Sequence, residues 1–165
     1  MPIEKVDPKA RAEDFPLIAR TKDAYVYENP RALPRVMLVG NWRHANFSTI
    51  LKSGWPDVDP KQTVLLEKPP RAAVSGGGTA KIASYKNTKI VVETDANAPS
   101  LLLLNDVWHP WWSACVDNAE ADILKANVLF RAVEVPAGKH SVRFSFHPFS
   151  GLLNWLGFSS SAPRC

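Results

Sequence analysis

The sequence predicts a mainly β protein: an antiparallel two-sheet β-sandwich of the jelly-roll or Ig-like kind, with one short helix near residues 41–53. Three observations predict it. Seven or eight short apolar runs recur along the chain, separated by Gly, Pro, Asn and Asp. Fourteen prolines in 165 residues disfavour long helices, because proline lacks the amide donor that a helix needs. In His140–Phe146, Val142, Phe144 and Phe146 alternate with Ser141, Arg143 and Ser145, the period of a half-buried antiparallel strand. A chain of this length, 45% hydrophobic and 22% charged, holds one domain with a real core.

Residues 1–23 are charged and weakly patterned and read as an N-terminal arm. Residues 24–149 form the sandwich domain, and 150–165 a C-terminal tail. Ala24–Tyr27 is β-branched and aromatic and stops at Glu28-Asn29-Pro30, and Arg35–Val39 follows Pro34 as a second strand. The period then becomes helical. Asn41 serves as a cap, Trp42, Ala45, Ile50 and Leu51 fall near one face, Lys52 suits the last turn, and Gly54 closes the helix before Pro56. Thr63–Glu67 is a strand ended by Lys68-Pro69-Pro70. Gly76-Gly77-Gly78, with no Lys-Ser/Thr after it, is a flexible connection and not a phosphate loop. Lys81–Tyr85 and Ile90–Thr94 flank a hairpin turn at 86–89. Ser100–Leu104, Trp112–Val116, Glu120–Leu124, Phe130–Val135 and His140–Phe146 complete the set.

The net charge is +4 with pI near 9.2, but residues 1–71 hold 12 basic against 9 acidic side chains and residues 72–165 hold 8 against 7. Neither half has the dense basic cluster that tracks a phosphate backbone, so nucleic acid is not expected as a partner. The start is polar and lacks the apolar run of a signal peptide, and no window reaches the length of a membrane span. The nearest, Phe149–Phe158, is about ten residues. The chain by itself reads as soluble. Cys115 and Cys165 have no metal-ligand spacing. They read as a buried thiol and a stray terminal one, with pairing left open.

Several pieces resemble a known family. Tyr25–Val36 (YVYENPRALPRV) is similar to the "vyeNp.alPra" segment of YfhO-like bacterial membrane proteins. His109–Asn118 (HPWWSACVDN) resembles their "yPGW.a.vDG" segment, and Val133–His140 (VEVPAGKH) their "v.vpaGkH" close. The pieces occur in order across residues 24–150. The resemblance implies the extracytoplasmic (periplasmic), C-terminal β-rich portion of a polytopic membrane protein related to glycosyltransferases that use lipid-linked sugars. It implies a final membrane helix starting where Phe149–Phe158 lies, and a membrane-embedded glycosyltransferase-like portion or a glycan as partner. The family's catalytic carboxylates lie in the membrane part, so no catalytic residue carries over. Trp111 stands where the family has glycine, and Asn118 replaces a second glycine while tolerating the same left-handed turn.

The candidate ligand-binding residues are Trp108, His109, Trp111 and Trp112, whose rings could stack on sugars or a partner's apolar surface. On a continuous strand Trp108, Trp112, Ala114 and Val116 would share one face, with Trp111, Ser113 and Cys115 opposite, and Pro110 interrupts that pattern. Trp112 and Trp108 are also candidates to plug the core, which leaves Trp111 as the ring to test. Asp106 with His109 is the one close acid–base pair, the seed of a weaker hydrolase reading. Asp57 and Asp59 read as a solvated turn, and His44, His109, His140 and His147 lack metal spacing. No cofactor, metal or catalytic residue is expected. The favoured function is a non-catalytic domain, and the alternative is an independent carbohydrate-binding module built on Trp108, Trp111 and Trp112.

Overall fold

The computed structural model describes residues 14–148 and Cys165, and most strands lie close to where turn residues and alternation put them. In chain order these are β1 (Leu17–Arg20), β2 (Tyr25–Tyr27), β3 (Val36–Val39), β4 (Asn41–His44), the helix α1 (Phe47–Ser53), β5 (Thr63–Leu66), β6 (Gly78–Lys86), β7 (Lys89–Ala96), β8 (Ser100–Leu104), β9 (Trp112–Val116), β10 (Ala119–Ala121), β11 (Leu124–Ala126), β12 (Phe130–Val135) and β13 (Gly138–Phe146). Strands β1 and β2 pair as a ribbon inside a compact unit that ends at Leu33. Tyr25–Tyr27, expected to open the sandwich domain at residue 24, therefore belongs with the N-terminal segment, and the second unit starts at Pro34.

That second unit contains a five-stranded sheet, β10-β9-β13-β7-β6, and a six-stranded sheet, β3-β8-β12-β11-β5-β4. One core joins them. Ile90, Val92, Ala114, Val142 and Phe144 from the first sheet meet Val36, Leu38, Leu102, Leu104, Val133 and Val135 from the second. Two sheets closed on one apolar layer make a mainly β, sandwich-like architecture. In β7 the alternation is clean, with Ile90, Val92, Thr94 and Ala96 buried and Lys89, Glu93 and Asp95 exposed. In β8 it is absent, because all five residues are buried. Leu101 and Leu103 face a second core with Val39, Val64, Leu66, Ala126 and Ala132, so the six-stranded sheet is covered on both faces. A continuous apolar run is the expected signature of such a strand.

Gly40 explains the shape of that sheet. It is the sole residue between β3 and β4, which occupy opposite edges of the six-stranded order. The edges can be joined by one residue only if the sheet curls, and it forms a half-barrel around the second core. A Cβ at Gly40 would lie 1.9 Å from the Gly76 carbonyl oxygen, and one at Gly76 would lie 2.4 Å from that of Ala98. The triple glycine, expected as a flexible connection, is therefore a tight backbone crossing: Gly76 N donates to Pro99 O, and Gly77 N to the Asn97 side chain. Gly78 opens β6 at φ 140°, where a Cβ would meet the Asp95 oxygen at 2.0 Å.

The helix is shorter than expected and begins later. Asn46, not Asn41, caps it by accepting from Thr49 N at 3.0 Å, and Gly54 closes it by donating to Ile50 O. Residues 41–44 instead pair in parallel with β5, with Trp42 packed against the second core. Strand pairing and burial override a helical spacing that rested on Trp42 and Ala45. Leu51, expected on the buried face, is 75% exposed. The strand expected at Glu120–Leu124 is divided between β10 and β11, one in each sheet. Among the described residues no helix is long and apolar enough to cross a membrane. Phe149–Phe158 lies outside the described residues.

Candidate functional site

The knot Trp108–Trp112 does not extend β9. Its centre is a turn built on His109, whose Nδ1 accepts from Trp111 N and whose carbonyl accepts from Trp112 N, both at 3.2 Å. The strand then runs from Trp112, with Ala114 buried in the first core and Trp112 and Val116 packed against it. The predicted face thus holds for Trp112, Ala114 and Val116 and fails for Trp108. Trp108 is half-buried in the preceding loop, where its N–H donates to Leu129 O and Lys125 Nζ sits 5.9 Å from its ring. Trp111 lies in the turn, half-buried, with its ring 4.9 Å edge-on from His109 and 6.1 Å from Phe146. Trp112 is 5.1 Å from Phe146. His109, Trp111 and Trp112 therefore converge on Phe146, and Trp108 stands apart.

Beneath the knot lies a polar group that sequence reading missed. Arg131 is 1% exposed, in a β12 whose neighbours are apolar. Its guanidinium stacks 3.9 Å over the Trp112 ring and donates to Asp106 Oδ2 at 2.9 Å. The same oxygen accepts from the Tyr85 hydroxyl at 2.9 Å, and Arg35 lies 3.8 Å from the other carboxylate oxygen. Burial pulls the Arg131 pKa down and the adjacent carboxylate pushes it back up, so a planar cation pinned between an indole and a carboxylate remains a cation. Donating a hydrogen bond to the Asp106 carboxylate raises the Tyr85 pKa. Asp106 is thereby committed to Arg131, Tyr85 and Arg35. His109 is held by Trp111 and Phe146, so the expected Asp106–His109 pairing is replaced by these partners.

A carboxylate–imidazole pair does form, at the opposite end of the five-stranded sheet. Asp117 and Asn118 make the β9–β10 turn with φ of 49° and 71°, the left-handed geometry expected of Asn118. Asp117 Oδ2 lies 2.5 Å from His140 Nδ1, its Oδ1 accepts from Ser141 N, and His140 Nε2 lies 3.1 Å from Ala137 O. Both imidazole nitrogens face acceptors. A protonated ring satisfies both, and the hydrogen bond to Asp117, then that to Ala137, raises the His140 pKa. The same bond lowers the Asp117 pKa. Asp117, Asn118 and Ser141 border a cleft of about 240 Å³ on the outer face, which Lys89, Val91, Cys115 and Arg143 also line. At its floor Cys115 is disulfide-bonded to Cys165, so the terminal cysteine is tied to the sheet rather than stray. Two cysteines fifty residues apart give no pairing signal in one sequence.

Among the described residues no group of three His, Cys, Asp or Glu side chains could hold a metal ion. Asp59 instead holds its own turn by accepting from Lys61 N. Comparison with known proteins returns no match among family models, curated sequences or solved structures.

Proposed function

We propose that the chain is a non-catalytic β-sandwich domain that works by presenting a surface, on the extracytoplasmic side of a YfhO-like polytopic membrane protein related to lipid-linked-sugar glycosyltransferases. The observation that carries the first part is the fate of the polar groups beside the aromatic knot. Asp106 is spent on Arg131, Tyr85 and Arg35, and His109 on the turn it caps. These contacts hold the end of the sandwich together, and they favour a scaffold over an acid–base site. The Cys115–Cys165 disulfide supports the location, since such bonds persist in oxidising compartments. The finer fold, jelly-roll or Ig-like, belongs to the same proposal and is favoured by antiparallel pairing everywhere except β4–β5. The family placement rests on the resemblance of residues 24–150. It expects a many-spanning membrane protein encoded in the same frame or beside it, and sequencing a locus with no such gene would remove it.

A second reading keeps the carbohydrate module, reduced to fewer rings. His109 is exposed and Trp111 half-buried against it, an imidazole and an indole at one surface. Saturable quenching of tryptophan fluorescence by cell-wall or capsular glycans, abolished in Trp111→Ala, is the expected result. Identical titrations for the two proteins would end this reading.

A further inference from the structure

One end of the sandwich collects charge from four stretches far apart in sequence. Residues 34–36, 85–90, 105–111 and 125–131 adjoin there, where β3, β7, β9 and β12 begin and β6 and β8 end. They carry Arg35, Lys86, Lys89, Lys125 and Arg131 against the one carboxylate of Asp106. Of the 13 basic and 10 acidic side chains in residues 34–148, five and one lie in these four stretches, which leaves eight against nine in the rest of that unit. These stretches therefore hold an excess of positive charge within residues 34–148, and Asp106 is neutralised by the buried Arg131.

The same end exposes apolar side chains. Val107 is 62%, Leu129 58% and Tyr85 48% exposed. The three are neighbours, because Trp108 N donates to Leu129 O and the Tyr85 hydroxyl to Asp106, the residue before Val107. Leu129 lies in the tight turn between β11 and β12, in which Asn127 and Val128 take left-handed φ of 48° and 72°. Lys125 Nζ stays over the rings of Trp108 and Phe47, and Arg35 over Tyr85. Aliphatic tips with Trp and Tyr behind them and a cationic fringe match the layered chemistry of a bilayer interface. Nucleic acid would use the charge but gain little from exposed aliphatic side chains.

We infer that this end, through Val107, Leu129 and Tyr85 with Arg35, Lys86 and Lys89, docks onto the surface of a bilayer containing anionic lipid. The inference gives the surface-presenting domain a partner, and its failure leaves the family placement to be decided by the locus. Sedimentation of the 165-residue chain with vesicles tests it. Binding is expected to phosphatidylcholine vesicles containing phosphatidylglycerol, weaker to phosphatidylcholine alone, and reduced by salt. Val107→Asp with Leu129→Asp should weaken it about tenfold or more. Lys86→Glu with Lys89→Glu should weaken it by about fivefold or more per lysine, with the aliphatic tips intact, so the test survives if the first pair misfolds. Absence of binding to the mixed vesicles, binding by both variants equal to that of the wild type, or tighter capture on single-stranded nucleic acid or a polyanionic protein than on the vesicles would overturn it.

Discussion

Where Val36, Lys89, Trp112 and Phe130 begin their strands, the sandwich ends in side chains: a buried Arg131–Asp106 pair, four further cations and exposed Val107 and Leu129. Where Val39, Ala96, Val116 and Val135 end theirs, it closes in backbone. Gly40, Gly76 and Gly78 let three segments cross within a distance that no Cβ permits, and paired charges, Asp117–His140 and Asp95–Lys139, cover the turns. One small domain thus divides its tasks between its two ends. Backbone crossings leave no room for a side chain and fix the curl of the sheet. Side-chain loops leave room to display charge and apolar surface, at the expense of an ion buried beneath them.

Substitutions at the side-chain end should have the largest effects. Asp106→Ala leaves Arg131 buried without its carboxylate and should lower stability by about 3–5 kcal/mol in urea unfolding. Asp106→Leu with Arg131→Met should recover much of that loss, since an apolar replacement removes both desolvated charges. A cost for the single variant below that of an exposed ion pair would show that the network does not hold this end. On the five-stranded sheet, Cys165→Ser should cost about 2–4 kcal/mol by freeing the closed loop of the unfolded chain. Intact mass with and without reduction reports the bond itself.

At the backbone end, Gly40→Ala and Gly78→Ala should each cost about 1–3 kcal/mol, because the new methyl group meets a carbonyl oxygen that cannot swing away. Gly77→Ala is the control: nothing lies within 4 Å of its Cβ, so its unfolding midpoint should stay near wild type. Equal effects at the three glycines would refute the crossing. Val128→Asn, easing the left-handed φ in the loop that displays Leu129, should gain up to about 1 kcal/mol in the same assay.

The smallest expected effect is a pH dependence at the backbone end. The raised His140 pKa means its contribution is complete below the usual imidazole value, near 6.5, and is lost as pH rises through the raised one. The lowered Asp117 pKa contributes above the usual carboxylate range and is lost as pH falls through the lowered one. Stability relative to His140→Gln should therefore decline as pH rises above about 6.5. A pH-independent difference between the two proteins would show that the imidazole is not charged in the folded state.

The sequence by itself determined the β class, most strand positions, the Gly54 helix stop and the Asp117-Asn118 turn. Each depends on neighbours within a few residues: alternation, proline, glycine or asparagine at a turn. It also marked the Trp108–Trp112 knot, though not how the knot divides. Trp112 enters the core by strand parity, whereas Trp108 leaves it because the turn at His109 breaks the parity first. Only the tertiary structure decided the rest. Asn41–His44 became a strand because β5 was there to pair with it, and Arg131 became the partner of Asp106 across twenty-five residues. The same folding brought Arg35, Lys86, Lys89, Lys125 and Arg131, scattered over almost a hundred residues, to one end. Local propensity acts over one turn or one strand, while partners, burial and electrostatic fields depend on which distant segments the fold brings together.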